Sequence, residues 1–193
     1  MIRAVNKKKA IQILKEGFPL GFPTDTLPAI GCLPKFSEVI YEFKKRDKNK
    51  ALILMGADLN QVISYVHQSA IDDFLNLTKK FWPGPITLVI PLAKGKNSFS
   101  NLKTIGLRIP RSQTAQSLLQ ETGPLATSSA NISGIPTSLT AHEVSNDMPN
   151  LSLLEPIPWE KCSGKASTVI SWVKEGEWKL IRQGQIDITN LNK

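Results

Sequence analysis

Residues 127–134 carry the densest set of chemically active groups in the chain. Within these eight residues lie four hydroxyl groups, the carboxamide of Asn131 and a terminal glycine. A short apolar stretch precedes them, and a strand that ends in such a loop can present N–H groups and side-chain donors to an anion. The same residue types also dominate ordinary turns. By itself, this segment therefore indicates either an anion site or a polar turn.

Several other loops place small hydroxylated or cationic residues beside the end of a predicted strand. Loops in this position build ligand sites in α/β proteins. Arginine binds phosphate and carboxylate groups in a bidentate manner, so the combined set is typical of a nucleotide or polyphosphate site. The loops lie at residues 24–26, 44–50, 104–108, 127–131 and 167–168 and at Arg182.

Arg108 stands out among the cations because it lies in a predicted strand between two apolar residues. Strand alternation places its side chain opposite theirs, where an arginine needs solvent or an anion. Lys44 and Arg46 follow a predicted helix, and they are equally consistent with solvated cations at a helix end. Asp25 is most simply a turn residue.

The sequence excludes several common reaction classes. No serine lies in a nucleophile-elbow motif and neither histidine has an evident aspartate partner, so no catalytic triad and no covalent nucleophile are expected. A Walker-type P-loop is absent. Cys32 and Cys162 form no disulfide framework, and no Cys/His spacing suits zinc.

The composition indicates a globular chain with anionic partners. Its 193 residues are predicted to form one domain, and its net charge of +8 favours nucleotides, RNA or DNA, although a merely basic surface would carry the same charge. No apolar run approaches the ~20 residues that span a bilayer. The charged N-terminus lacks the apolar region of a signal peptide. We therefore expect a cytoplasmic protein with no membrane partner.

Strands interleaved with helices, followed by a C-terminal hairpin, predict an α/β or α+β fold with a mixed sheet. Asn6 and Ser37 are predicted to cap the first two helices. Residues 82–85 are predicted to form a rigid turn, residues 94–103 a polar loop and residues 146–155 a loose connection. The predicted helices are 6–16, 37–44, 60–66, 70–81, 112–121 and 140–145. The predicted strands are 18–22, 51–55, 86–91, 104–109, 168–173 and 178–181. Residues 123–126 are predicted to form a turn followed by a short buried strand.

Seven short motifs follow one another along the chain. They are Phe22-Pro23-Thr24-Asp25-Thr26, Lys44-Lys45-Arg46, Phe81-Trp82-Pro83-Gly84-Pro85-Ile86-Thr87, Leu107-Arg108-Ile109-Pro110, Ser129-Ala130-Asn131-Ile132-Ser133-Gly134, Ser167-Thr168-Val169 and Arg182-Gln183-Gly184. In this order they resemble the YrdC/Sua5 family of threonylcarbamoyl-AMP synthases. The resemblance covers about residues 6–187, and the length matches the short, YrdC-like members.

The resemblance implies a fold and an activity. The fold would be a single YrdC-like domain over residues 1–193, with a twisted mixed α/β sheet and flanking helices around a deep basic cavity. The activity would be that of a nucleotidyltransferase, an L-threonylcarbamoyladenylate synthase that forms threonylcarbamoyl-AMP and pyrophosphate from L-threonine, bicarbonate and ATP. The product would serve N6-threonylcarbamoyladenosine (t6A37) modification of tRNA through a downstream threonylcarbamoyl-transferase complex. Mg²⁺ would accompany ATP, held mainly by the phosphates.

The resemblance also assigns residues to ligands. The threonine-binding residues would be Thr26, Arg108, Thr127 and Ser167, with Arg108 or a neighbour binding the carboxylate. The ATP-binding residues would be Lys44, Arg46, Lys50, Thr104, Ser129, Asn131, Thr137 and Arg182.

The chain departs from the family pattern after Thr26, where Leu27, Pro28 and Ala29 replace the common Val-Tyr-Gly. Two alternatives to the synthase therefore stay open. One is a divergent, non-catalytic YrdC-like module that binds tRNA or double-stranded RNA through its basic surface. The other is a carbamoyl-adenylate enzyme that resembles the YrdC-like part of hydrogenase-maturation proteins. The absence of acylphosphatase and zinc-finger segments argues against this second alternative.

Overall fold

The computed structural model describes residues 2–96 and 103–188. Within these ranges ten strands form one mixed sheet, in the order β1-β8-β2-β3-β7-β4-β6-β5-β9-β10. Pairs β1–β8, β2–β8, β4–β6 and β5–β9 are parallel, and the other neighbouring pairs are antiparallel. The predicted mixed α/β sheet is confirmed. The strands are β1 Ala4–Val5, β2 Leu20–Phe22, β3 Ala29–Cys32, β4 Ile53–Met55, β5 Ile86–Pro91, β6 Thr104–Arg108, β7 Leu125–Ser129, β8 Ser152–Leu154, β9 Thr168–Lys174 and β10 Glu177–Arg182.

Six α-helices of the described residues flank the sheet. They are α1 Lys7–Lys15, α2 Glu38–Lys44, α3 Leu59–Val62, α4 Ile71–Phe81, α5 Gln113–Thr122 and α6 Ala141–Asp147. Asn6 caps α1 by accepting the Lys9 N–H, as the sequence predicts. Among these ranges, no helix has the length and apolar character needed to cross a membrane.

The core consists of two clusters of buried apolar side chains. The larger one includes Leu54, Leu88 and Leu107 of the central strands together with Phe74 of α4. The smaller one joins α1 and α5 to the β2 side of the sheet. Burying these apolar faces fixes the helices against the sheet, since burial contributes about 25 cal/mol per Å² of apolar surface.

Four local predictions differ from the structure. Ser37 does not cap α2, because it already has helical backbone angles after the 3₁₀ turn Pro34–Phe36 and its side chain makes no capping bond. The predicted helix 60–66 divides into α3 and the 3₁₀ turn Ile63–Tyr65. Strand β8 lies inside the predicted loose connection 146–155. Strand β3 was not predicted. Part of the predicted polar loop 94–103 lies outside the described residues.

Candidate active site

A cavity of about 590 Å³ lies over one face of the central strands. Alternate residues of a strand share a face, and the cavity is lined by such alternating sets. They include Thr87 and Val89 of β5 and Thr104, Gly106 and Arg108 of β6. The loop between β2 and β3 forms one side, and the rest comes from β4, β7, β9, β10 and the loop after α2. Polar strand ends therefore converge on one cavity.

Arg108, at the end of β6, is almost fully buried in this wall, with 4% of its surface exposed. Its Nη2 donates to Asp25 Oδ1 at 2.6 Å and its Nη1 to Thr26 Oγ1 at 2.8 Å. Its Nε donates to the Gly84 carbonyl at 3.2 Å, in the rigid turn before β5. Burial lowers the pKa of Arg108, and the Asp25 charge opposes that shift. The guanidinium stays charged because its ordinary pKa is far above neutrality.

Asp25 is the anion that the strand arginine required, and the sequence interpretation of Asp25 as a simple turn residue missed this. Its side chain is 13% exposed and forms a buried ion pair with Arg108. Oδ1 also accepts the Arg111 N–H at 3.1 Å. The signal was present in the sequence: the strand arginine was expected to need solvent or an anion, and Asp25 lies next to the predicted ligand residue Thr26.

Hydroxyl groups line the cavity around Arg108. Thr24 Oγ1 and Thr26 Oγ1 lie 3.1 Å apart. Ser167 Oγ and Thr87 Oγ1 lie 2.9 Å apart across β5 and the start of β9. Thr127 Oγ1 donates to the Ile53 carbonyl at 2.9 Å. Of these, Thr24 and Thr87 were not among the predicted ligand residues, although both belong to the recognised motifs.

Arg46 and Arg182 bring two further positive charges to the cavity. Arg46 donates to the carbonyls of Lys50 and Ala51, which fixes it on the loop after α2. Arg182 donates to the carbonyl and hydroxyl oxygens of Ser167. Burial lowers the pKa of Arg182, and the nearby charge of Arg46 lowers it further. Two arginines whose charges influence each other suit a multiply charged anion such as a polyphosphate.

Lys44, Ser129 and Asn131 form a bonded cluster at the end of β7. Lys44 Nζ donates to the Ser129 carbonyl and to Asn131 Oδ1. Ser129 Oγ donates to the same Asn131 oxygen at 2.6 Å. Burial lowers the pKa of Lys44 to about 8, and the charge of Arg46 adds to the effect. The cluster holds the 127–134 loop against the C-terminus of α2.

The structure brings eight of the twelve predicted ligand residues to the cavity wall. They are Thr26, Arg46, Thr104, Arg108, Thr127, Ser129, Ser167 and Arg182. The other four, Lys44, Lys50, Asn131 and Thr137, are not among the lining residues. Lys44 and Asn131 are buried behind Ser129, and Lys50 is exposed at the surface. All four belong to the predicted ATP set, and the individual ligand assignments stay predictions.

The mixed sheet and its arginine-rich cavity define the class of this chain, an α/β protein with a cavity whose charge suits small anionic ligands. The chain belongs to the Sua5/YciO/YrdC family, whose model, described as telomere recombination, matches residues 12–184.

Named relatives and one solved structure support the assignment to this family. The chain is 33% identical to a threonylcarbamoyl-AMP synthase of Bacillus subtilis over 72% of its own length and 42% of that protein. A synthase of Idiomarina loihiensis is 34% identical, over 65% and 71% of the two chains. The structure of P. abyssi Sua5 complexed with L-threonine matches with a TM-score of 0.84 and 28% identity, covering 95% of this chain and 57% of that one. The chain thus spans less than half of the B. subtilis relative.

Proposed function

We propose that this chain is an L-threonylcarbamoyladenylate synthase. The observation that carries the proposal is that one cavity holds two chemically different kinds of arginine. Arg108 is paired with Asp25 and lies among threonine hydroxyls, as an amino-acid carboxylate and side-chain hydroxyl would require. Arg46 and Arg182 are held by carbonyl and hydroxyl oxygens and suit the phosphates of ATP. The names of the synthase relatives and the L-threonine complex of P. abyssi Sua5 support the same substrates.

The reaction needs two bond-forming steps, and the cavity groups suit both. The neutral amine of threonine attacks the carbon of bicarbonate, and loss of water gives an N-carboxylate. An oxygen of this carboxylate then attacks the α-phosphorus of ATP, and the bond to pyrophosphate breaks. Arg108 orients the threonine carboxylate, while Arg46 and Arg182 stabilise the negative charge that builds up on pyrophosphate. Positioning and charge stabilisation are what such phosphorus chemistry needs from a protein.

Mg²⁺ belongs to this proposal as the companion of ATP. Over residues 2–96 and 103–188, no three His, Cys, Asp or Glu side chains are grouped to hold a metal. The carboxylate of Asp25, beside the cavity, is already paired with Arg108. Mg²⁺ keeps several waters and binds through substrate phosphates, so this donor set fits an ion that enters with ATP.

The proposed product also implies a downstream partner for this protein. The product would supply a threonylcarbamoyl-transferase complex that modifies tRNA at t6A37. A cytoplasmic location would suit that role. The net charge of +8 supports contact with tRNA or double-stranded RNA, and the family-model match over residues 12–184 supports the proposal of a single YrdC-like domain.

Isotope incorporation tests the proposed reaction directly. The chain is incubated with ATP, Mg²⁺, L-threonine and ¹³C-bicarbonate, and the nucleotide products are separated and analysed by mass spectrometry. We expect labelled threonylcarbamoyl-AMP, with the label lost when bicarbonate is unlabelled and the product lost when threonine is omitted. ATP binding without any carbamoyl product would contradict the proposal and favour a YrdC-like binding module.

A further inference from the structure

Asp25 connects three separate parts of the structure beside the cavity. Its Oδ1 accepts one N–H of the Arg108 guanidinium at 2.6 Å and the Arg111 backbone N–H at 3.1 Å. Its carbonyl accepts the Ser163 N–H at 3.0 Å. A single residue therefore joins the loop before β3 to the end of β6, to the approach to α5 and to the segment before β9.

The guanidinium of Arg108 is held on three sides. Besides Asp25, it donates to Thr26 Oγ1 and to the Gly84 carbonyl. An arginine has five N–H donors in a fixed plane, so these three bonds use three of them. The plane and its two remaining N–H groups are thereby fixed in one orientation. Fixed donors lose less side-chain entropy on binding a ligand than mobile ones.

Charge compensation also distinguishes Arg108 from the other two cavity arginines. The Arg108–Asp25 pair is buried on both partners, and its net charge is zero. Arg46 is fixed by two backbone carbonyls, which carry no net charge. Arg182 is fixed by the carbonyl and hydroxyl of Ser167. The cavity therefore holds one arginine in a direct ion pair and two arginines bonded to uncharged groups, and the charge of Asp47 acts on Arg46 without a direct ion pair in the described residues.

The second carboxylate oxygen of Asp25, Oδ2, is stabilised by the charge of Arg108. The atom is buried, and no described group donates a hydrogen bond to it. A buried carboxylate is costly unless an opposite charge lies beside it, and Arg108 supplies that charge. The pair is therefore mutually dependent, and removing the aspartate charge leaves Arg108 uncompensated in the cavity wall.

We propose that Asp25 is a positioning and specificity-determining residue: it fixes Arg108 for an amino-acid carboxylate and keeps phosphate groups away from Arg108. This inference rests on the proposed function for the identity of the amino acid. A free arginine binds phosphate as readily as carboxylate. Because Asp25 forms a direct ion pair with Arg108, whereas Arg46 and Arg182 are bonded to uncharged oxygens, the phosphate chain of ATP favours Arg46 and Arg182.

Two variants separate the charge of Asp25 from its bonds. Asp25→Asn keeps an oxygen that can accept from Arg108 and Arg111 but removes the charge, whereas Asp25→Ala removes both. Asp72→Asn is the matched control, because Asp72 is an exposed aspartate in the first turn of α4. Thermal unfolding of each variant is measured first, so that binding is compared among folded proteins.

Binding of L-threonine, ATP and inorganic pyrophosphate is measured by titration calorimetry. In Asp25→Ala we expect threonine affinity to fall about tenfold or more, the loss typical of a charge-assisted bond, with ATP affinity changed far less. In Asp25→Asn we expect a second pyrophosphate site that competes with threonine. The Asp72→Asn control should match the natural chain in all three titrations.

The results that would overturn the inference are also specific. Parallel loss of threonine and ATP affinity in both variants would show a merely structural role for Asp25. Unchanged threonine affinity in Asp25→Ala, or an unchanged pyrophosphate stoichiometry in Asp25→Asn, would contradict it as well. If the natural chain bound no threonine, the proposed function would fail, and the pyrophosphate arm would still decide whether Asp25 keeps phosphate from Arg108.

Discussion

Replacing Arg46 by alanine should weaken ATP binding about 10- to 150-fold. Arg46 lines the cavity, and two of its five N–H donors hold the Lys50 and Ala51 carbonyls. The remaining donors are free to face a phosphate chain. One hydrogen bond to a charged group is worth about 1.5–3 kcal/mol, and every ~1.4 kcal/mol changes a dissociation constant tenfold. Threonine affinity should change little, because Arg108 is fixed by Asp25, Thr26 and Gly84 and not by Arg46.

Titration calorimetry of ATP and of L-threonine measures both effects in the same protein. Lys48→Ala is the matched control, because Lys48 belongs to the same loop and carries the same charge but is exposed and pairs with Glu38. The control should bind both ligands as the natural chain does. The reasoning is refuted if Lys48→Ala loses as much ATP affinity as Arg46→Ala, since net charge alone would then explain the effect. Equal losses of ATP and threonine in Arg46→Ala would refute it too.

Three further predictions concern other parts of the cavity. Arg108→Ala should lower threonine affinity roughly ten- to a hundredfold with a much smaller effect on ATP in the same titrations; a larger loss for ATP would reverse the assignment. Lys44 lies behind Ser129 and outside the cavity lining, and burial, with the charge of Arg46, lowers its pKa to about 8. Phosphates bound beside Arg46 should oppose that positive charge and raise the pKa of Lys44, so that ATP binding takes up protons just above pH 8 but not near pH 6. Calorimetry in buffers of different protonation heat measures this uptake, and its persistence in Lys44→Arg would exclude Lys44 as the source. Pro28 is part of the cavity wall, and Pro28→Tyr should change KM for threonine by less than about tenfold, the most that one neutral hydrogen bond contributes; a larger gain would show that the natural chain lacks a substrate contact.

The sequence predicted the elements whose local signals are strong. Strand β5 occupies the predicted residues 86–91, because a rigid proline-glycine turn precedes a continuous apolar run there. Helix α1 begins after Asn6 as its capping side chain indicates. The hairpin of β9 and β10 turns at Gly176, which has a positive φ that favours glycine.

The two interior strands β3 and β8 could not be predicted in this way. Strand β3 has four residues, Ala-Ile-Gly-Cys, all buried between β2 and β7. Strand β8 has three residues and joins β1 to β2. Segments this short show no measurable alternation, and their pairing depends on long-range partners that propensity does not reveal.

The candidate site shows the same division between local and long-range information. The order of the motifs predicted that Thr26, Arg108 and Arg182 belong to one site, and all three line one cavity. The sequence did not reveal that Lys44 would be buried behind Ser129, since its surroundings are set by β7 and not by neighbouring residues. Nor did it reveal the pairing of Asp25 with Arg108, which are far apart in the chain.

Pyrophosphate release from ATP, measured with bicarbonate in the presence and absence of L-threonine, tests the central claim most directly. A cavity that binds the amino acid at Arg108 and the phosphates at Arg46 and Arg182 predicts release that requires threonine and bicarbonate together. Release at the same rate without threonine, or no release from a protein that binds ATP and threonine, would contradict it.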